Sequence, residues 1–268
     1  MSSPFDPSSD PLADILAATA HRAGKVILDI YNSDFAVAAK DDKSPVTEAD
    51  GAGETVILEA LSVAFPDIPV IAEEAVSAGQ VPDIGNRFFL VDPLDGTREF
   101  IKRNGEFTVN IGLVDNGVPV AGVVYAPAID MLLVADEAGA RETAISVETG
   151  LSSVDWRAVS ARPAPASGVT VVASRSHRDA DTDAFLADID VSEIRSAGSS
   201  LKFCLVARGD ADLYPRFGPT MEWDTAAGDA ILRRAGGTVT DTDGNPFRYG
   251  KTAAGYRNPG FIARGKAG

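Results

Sequence analysis

The chain has 268 residues, 45% hydrophobic and 24% charged, which places it in the globular range with material for a sizeable core in one large domain or two intimate halves. Its 39 acidic against 24 basic residues give a formal net charge of −15 with no Lys/Arg cluster to offset it, which argues against a nucleic-acid polymer or an anionic membrane as partner and suits the collection of hard divalent cations. The single cysteine, Cys204, excludes an intrachain disulfide framework, and its neighbours Phe203, Leu205 and Val206 mark an ordinary buried thiol in a reducing, cytoplasmic setting.

The opening MSSPFDPSSDP lacks the basic patch and apolar run of a secretory signal and reads as a loose tail, and no apolar stretch further on approaches bilayer length. From Pro11 to Tyr31 the apolar residues follow helical spacing, with Asp10 as N-cap and Pro11 at the first helical position. A second helix is expected from Thr47, its N-cap, to Phe65, where Pro66 stops it; Gly51 and Gly53 weaken its first turns. Strands follow at Val70–Ala72, Phe88–Val91, Phe107–Val114, Val118–Tyr125 and Met131–Ala135, with a hairpin turn at Asp115-Asn116-Gly117. Small, polar and charged residues from Asp136 to Arg162 suggest a seam between two halves, 1–150 and 151–268, of one compact unit. Beyond it a strand is expected at Val169–Ala173, helices at Asp181–Ile189, Leu201–Ala207 and Thr225–Arg234, and strands at 238–240 and 261–263. Alternation of helix and strand in both halves predicts a layered α/β protein with mixed sheets.

The strongest chemical signal is FFLVDPLDGT at 88–97, where an apolar strand gives way to Asp92 and Asp95 across a turn stiffened by Pro93. Two carboxylates and an intervening carbonyl make a hard-oxygen site for magnesium, and Gly96 and Thr97 offer backbone N–H groups to a phosphate oxygen; a plain surface turn is the alternative. Glu73 and Glu74 end a second strand, and sequence alone does not separate them. Asp224 precedes a small-residue helix, where it can be an N-cap, a ligand or both. Phosphate-ester hydrolysis needs cations for the phosphoryl oxygens, an activated water and stabilisation of the leaving alkoxide, so a carboxylate such as Asp50, with the Thr97 hydroxyl, is a candidate to take the water's proton.

PVTEAD at 45–50, EE at 73–74, DPLDGT at 92–97 and WDTAAGDAIL at 223–232, in this order, resemble the inositol monophosphatase superfamily of lithium-sensitive, magnesium-dependent phosphatases over nearly the whole chain. The resemblance implies an αβαβα sandwich with two or three Mg2+ ions. It also implies Glu73, Asp92, Asp95, Asp224 and the Leu94 carbonyl as ligands, Asp50 and Thr97 as activators of a metal-activated water, and Gly96 and Thr97 as phosphate-binding backbone. Within the superfamily, Ser174-Arg175-Ser176-His177, Gly198-Ser199-Ser200-Leu201-Lys202-Phe203-Cys204 and Asp212-Leu213-Tyr214-Pro215-Arg216-Phe217-Gly218 are most similar to the 3′(2′),5′-bisphosphate nucleotidases. That likeness implies a small nucleotide substrate, 3′-phosphoadenosine 5′-phosphate from sulfate assimilation, cleaved to AMP, with the sulfate-donor nucleotide bearing the same 3′-phosphate as a second candidate.

A second phosphate needs cations away from the metals, which Lys202 and Arg216 can supply, while His177 or Ser199 meets the nucleotide. Against these stand plainer roles: Lys202 as a solvated helix lysine, Arg216 paired with a carboxylate such as Glu222, His177 as a local cap. An inositol monophosphatase or a histidinol-phosphate phosphatase is the nearest rival, and a non-catalytic sensor of a phosphorylated metabolite the alternative of another class. A monomer or homodimer, with or without peripheral attachment to the inner membrane, is compatible with all of these.

Overall fold

The computed structural model describes residues 11–39, 45–174 and 179–267. In chain order the elements are α1 (Pro11–Tyr31), β1 (Val37–Ala39), β2 (Pro45–Thr47), α2 (Glu48–Ala64), β3 (Val70–Ala72), α3 (Glu73–Ser77), β4 (Arg87–Asp95), α4 (Thr97–Ile101), β5 (Thr108–Asp115), β6 (Val118–Ala126), β7 (Met131–Asp136) and β8 (Gly139–Ala144). There follow β9 (Arg157–Val159), β10 (Val169–Ser174), α5 (Ala180–Ala187), β11 (Val191–Ala197), α6 (Leu201–Ala207), β12 (Leu213–Arg216), β13 (Thr220–Met221), α7 (Glu222–Arg234), β14 (Thr238–Asp241), β15 (Arg257–Asn258) and β16 (Phe261–Arg264).

Two larger sheets organise these elements. One has seven strands in the order β3-β4-β5-β6-β7-β8-β9, antiparallel except for the parallel pair β3–β4. The other has five, β11-β10-β12-β16-β14, with parallel pairs on its β10 side and antiparallel pairs on its β14 side. Strand side chains alternate between faces, so each sheet buries two different sets. Phe89, Val91, Ile111, Val123 and Val134 pack under α1 and α2 with Leu16, Ile27 and Ile57. The opposite residues Phe88, Leu90, Val114, Val124 and Leu133 join Phe203, Cys204, Ala226 and Ile231 of α6 and α7, and on to Val172, Tyr214 and Phe261 of the second sheet. On its outer face Val171, Leu213 and Ile262 meet Leu186 of α5. The layers therefore run helix, sheet, helix, sheet, helix, which is the expected αβαβα sandwich.

Several expected boundaries shift. β4 runs on to Asp95, because the chain re-pairs with β5 after a one-residue bulge: Asp92 opposes Asn110 and Asp95 opposes Thr108. The stretch expected as a seam carries β8 and β9, which extend the first sheet. Helix α7 starts at Glu222, earlier than Thr225, so Asp224 lies inside its first turn rather than at the N-cap. Asp10, the expected cap of α1, lies outside the described residues, whereas Thr47 caps α2, accepting the Ala49 N–H at 3.2 Å.

Small residues explain how closely α7 approaches the first sheet. A Cβ on Gly112 of β5 would come within 2.8 Å of Ala226, and one on Gly122 of β6 within 2.9 Å of Ala227, so Ala226 and Ala227 rest directly on strand backbone. That packing delivers the start of α7 to the end of β4. On the other side, Gly53 of α2 faces Ile27 and Pro93, and it serves this close approach rather than merely weakening the helix.

Candidate active site

At the C-terminal end of β4 and the first turns of α3, α4, α6 and α7 the chain forms a cavity of about 280 Å³. Glu73, Asp95, Gly96, Thr97, Ser199, Lys202, Arg216 and Asp224 all line it, together with Ser174, Ser200 and Tyr214. Asp92, Leu94 and Asp50 are buried and are not among its lining residues. His177 lies outside the described residues.

The bulge in β4 aims the two aspartates differently. Asp92 is buried and its Oδ1 accepts the Leu94 N–H at 3.0 Å. Asp95, half-buried, faces the cavity. Gly96 then takes φ +92°, where a side chain is disfavoured, and a Cβ would also fall 2.2 Å from Ser199 Oγ. Thr97 opens α4, whose first N–H groups have no intrahelical acceptor, beside the cavity. Its hydroxyl proton is shared between Asp50 Oδ1 at 3.2 Å and the Leu94 carbonyl at 3.3 Å. Asp50 is fixed by the start of its own helix, because Oδ2 accepts both the N–H and the hydroxyl of Thr47 at 2.8 Å. Its helix-capping role and its contact with Thr97 thus coexist.

Of the adjacent acids, Glu73 reaches the cavity and Glu74 is not among its lining residues. Asp224 reaches back to accept the Met221 N–H at 2.8 Å, which locks the first turn of α7.

Burial, reinforced by the charges of Glu73, Asp95 and Asp224, pushes the Asp92 carboxyl well above the usual carboxylate range. Asp224 is pushed up likewise, by burial and then by Asp95 and Glu73. Asp95 is raised by burial against the opposing pull of Lys202, Ser200 and Asn110. Among the described residues no three acidic, histidine or cysteine side chains stand as a ready-made metal cage. Magnesium does not need one, since it binds through one or two carboxylates and keeps water or substrate phosphate on its other positions. Four carboxylates that burden one another electrostatically form a hard-oxygen donor set that divalent cations would relieve, so these residues fit that group.

Two buried cations line the same cavity. Lys202 is only 5% exposed, so it is not a solvated helix lysine. Its Nζ donates to the carbonyls of Ser199 at 2.5 Å and Ala197 at 3.3 Å and lies 5.4 Å from the Tyr214 ring centroid. Arg216 donates to the carbonyls of Gly218 and Pro219, both at 3.2 Å, and does not pair with Glu222, which Lys251 holds at 2.9 Å. Ser199, at φ +46°, shares its hydroxyl proton between the carbonyls of Asp95 at 2.7 Å and Glu106 at 2.8 Å.

Three further residues hold the site together and escaped the sequence reading. Ser200 Oγ sits 3.1 Å from Asp95 Oδ2 and 2.7 Å from the Asp224 carbonyl, so one hydroxyl links β4 to α7. Asn110 donates to that hydroxyl at 3.0 Å and to Asp95 Oδ2 at 3.4 Å. The Glu106 carboxylate accepts the Gly198 N–H at 2.9 Å. The run Gly198-Ser199-Ser200 was a visible signal for the first; nothing local marks Asn110 or Glu106.

A five-layer sandwich with acidic groups gathered where β4 ends defines a class of metal-assisted phosphatase folds, and comparison with known proteins places the chain within it. The Inositol monophosphatase family profile matches residues 8–265, and the chain belongs to that family. The 3′(2′),5′-bisphosphate nucleotidase CysQ of Escherichia coli (strain K12) is 46% identical over 252 residues, covering 93% of this chain and 98% of its own length. The protein of the same name from Salmonella typhimurium is 48% identical over 244 residues, covering 90% and 95%. Among solved structures, CysQ from Bacteroides thetaiotaomicron superposes with a TM-score of 0.78 at 38% identity, covering 98% of this chain and all of that one. Inositol monophosphatase from Anabaena gives 0.74 at 28% identity, covering 96% and 91%.

Proposed function

We propose that the protein is a magnesium-dependent phosphomonoesterase that removes the 3′-phosphate of 3′-phosphoadenosine 5′-phosphate to leave AMP, and that the sulfate-donor nucleotide with the same 3′-phosphate is a second substrate. The observation that carries this reading is a single cavity lined both by the carboxylates Glu73, Asp95 and Asp224 and by two buried cations, Lys202 and Arg216. One phosphate can lie among the acids and a second can meet the cations. Nucleotidase relatives that match almost end to end support the same choice of substrate.

In this reading Glu73, Asp92, Asp95, Asp224 and the Leu94 carbonyl hold the metal ions. When bound, magnesium would neutralise the phosphoryl oxygens, acidify the attacking water and stabilise the departing ribose oxygen. The chain's own groups do the rest. Thr97, hydrogen-bonded to Asp50, orients that water and passes its proton toward the Asp50 carboxylate. Backbone N–H groups at Gly96 and Thr97 hold the scissile phosphate. Lys202 and Arg216 receive the 5′-phosphate, and Ser199 shapes the wall between the two ends. The half spanning 1–150 supplies most of the acids, and the half spanning 151–268 supplies Asp224 and the cations. Among the described residues no helix is long and apolar enough to cross a membrane, and the working environment we infer is the cytoplasm.

The direct test is Asp92→Asn. Turnover of the bisphosphate should fall by about 10³-fold with the melting temperature nearly unchanged. An Asp92→Asn protein that retains wild-type turnover overturns the assignment.

A further inference from the structure

Helix α3 is unusual support for a site residue. It has five residues, none fully buried, follows a three-residue edge strand, and its N-cap Ala72 offers no side-chain hydrogen bond. A segment so short does not hold a helical turn by itself. The missing restraint comes from α2. Glu54, 5% exposed, accepts the Glu74 N–H with Oε2 and the Ala75 N–H with Oε1, both at 2.8 Å. Both oxygens of one buried carboxylate are thus spent on consecutive backbone donors, immediately after Glu73.

Desolvating a carboxylate costs several kcal/mol unless hydrogen bonds compensate it, and a serine at position 72 would be a less demanding cap. What Glu54 adds is connection. It lies one helical turn after Asp50 on the same helix, and Gly53 packs that helix against Pro93 between the two site aspartates. Asp50, the 92–95 turn and Glu73 are tied into one rigid unit through α2.

We propose that Glu54 is a positioning residue for Glu73: its carboxylate clamps α3 in the orientation that presents Glu73 to the cavity and thereby sets the affinity of the site for divalent cations. This rests on the reading of Glu73 as a metal-site carboxylate. Outer groups that orient ligands typically contribute 10- to 100-fold to metal affinity.

The test uses the full-length protein with Mn2+ as the probe, its free concentration followed by electron paramagnetic resonance, for wild type and Glu54→Gln. The amide keeps size and shape but replaces one acceptor by a donor facing an N–H. The Mn2+ dissociation constant should rise about tenfold, with the KM for the nucleotide at saturating Mg2+ within about twofold of wild type. An unchanged dissociation constant accompanied only by a lower melting temperature overturns the proposal, because Glu54 is then a structural cap. Wild-type protein that binds no Mn2+ overturns the metal reading and this inference together, whereas failure of the variant alone to differ removes only the inference. Should Glu54→Gln not fold, Glu54→Asp, which retains charge but shortens the reach by one methylene, gives the same test: a rise supports the clamp and wild-type affinity refutes it.

Discussion

Lys202 is a buried cation whose proton affinity is set by its place in the cavity wall. Burial lowers its ammonium to about 8, opposed by Asp95, Glu99 and Glu106 and reinforced by Arg216. Relative to the ordinary value of 10.5, that gap corresponds to a cost on the order of 3 kcal/mol at neutral pH. The folded chain binds fewer protons there than the unfolded chain between about 8 and 10.5, so this cost is fully present below pH 8 and is relieved as pH rises through the window. Lys202→Met should therefore raise the melting temperature at pH 7 while increasing the KM for 3′-phosphoadenosine 5′-phosphate at least tenfold, with a far smaller effect on a monophosphate. In the wild type, kcat/KM for the bisphosphate should decline above pH 8 as Lys202 loses its proton. Equal responses from the two substrates would remove Lys202 from the second phosphate site. Ser200 gives a complementary case: Ser200→Ala should raise the Mg2+ concentration needed for half-maximal activity about tenfold, since Asp95 loses a partner and its link to α7. Glu73, Asp92 and Asp95 were legible in the sequence because they end apolar strands at recognisable spacing, and Asp224 because it stands at the start of a small-residue helix. Asn110 and Glu106 were not, because their meaning depends on the β4–β5 register and on how close the 198–200 turn comes to it.

Among the elements, α7 shows how composition becomes position. Ala226, Ala227 and Ala230 bring the helix onto β5 and β6 at Gly112 and Gly122, whereas Gly228 faces Phe203 of α6, where a Cβ would lie 2.6 Å from the ring. Gly122→Val should push α7 outward, destabilising the fold by about 2 kcal/mol and weakening activity through displacement of Asp224. Gly51 provides the contrast. It lies exposed in α2, and a Cβ added there would meet nothing within 4 Å, so Gly51→Ala should stabilise the protein by about 0.5–1 kcal/mol and leave activity alone. Denaturant unfolding of both variants reads these differences. Helices with apolar periodicity and long apolar strands were visible in the sequence. β11 was not, because VSEIRSA is an exposed, polar edge strand, and β12 was hidden by Pro215, which argues against a central strand. The bulge in β4 also had no local signature, since it follows from pairing with β5.

For the molecule as a whole, the five-layer order puts two sheets back to back around α6 and α7, and the cleft opens where the ends of both meet. Neither sheet alone holds a complete site. β4 brings the acidic turn, α7 brings Asp224, and the second sheet brings Arg216 while α6 brings Lys202. In a chain of net charge −15, two buried cations are thus set in the wall of the same cavity as the acids. The layered class was legible from the alternation of helix and strand, but how the layers stack follows from which face of each strand is apolar to which helix. The most direct measurement of the central claim is phosphate release from 3′-phosphoadenosine 5′-phosphate and from inositol 1-phosphate, side by side, with and without Mg2+. The account predicts Mg2+-dependent release with strong preference for the nucleotide; preference for inositol 1-phosphate, or release that persists without a divalent cation, would contradict it.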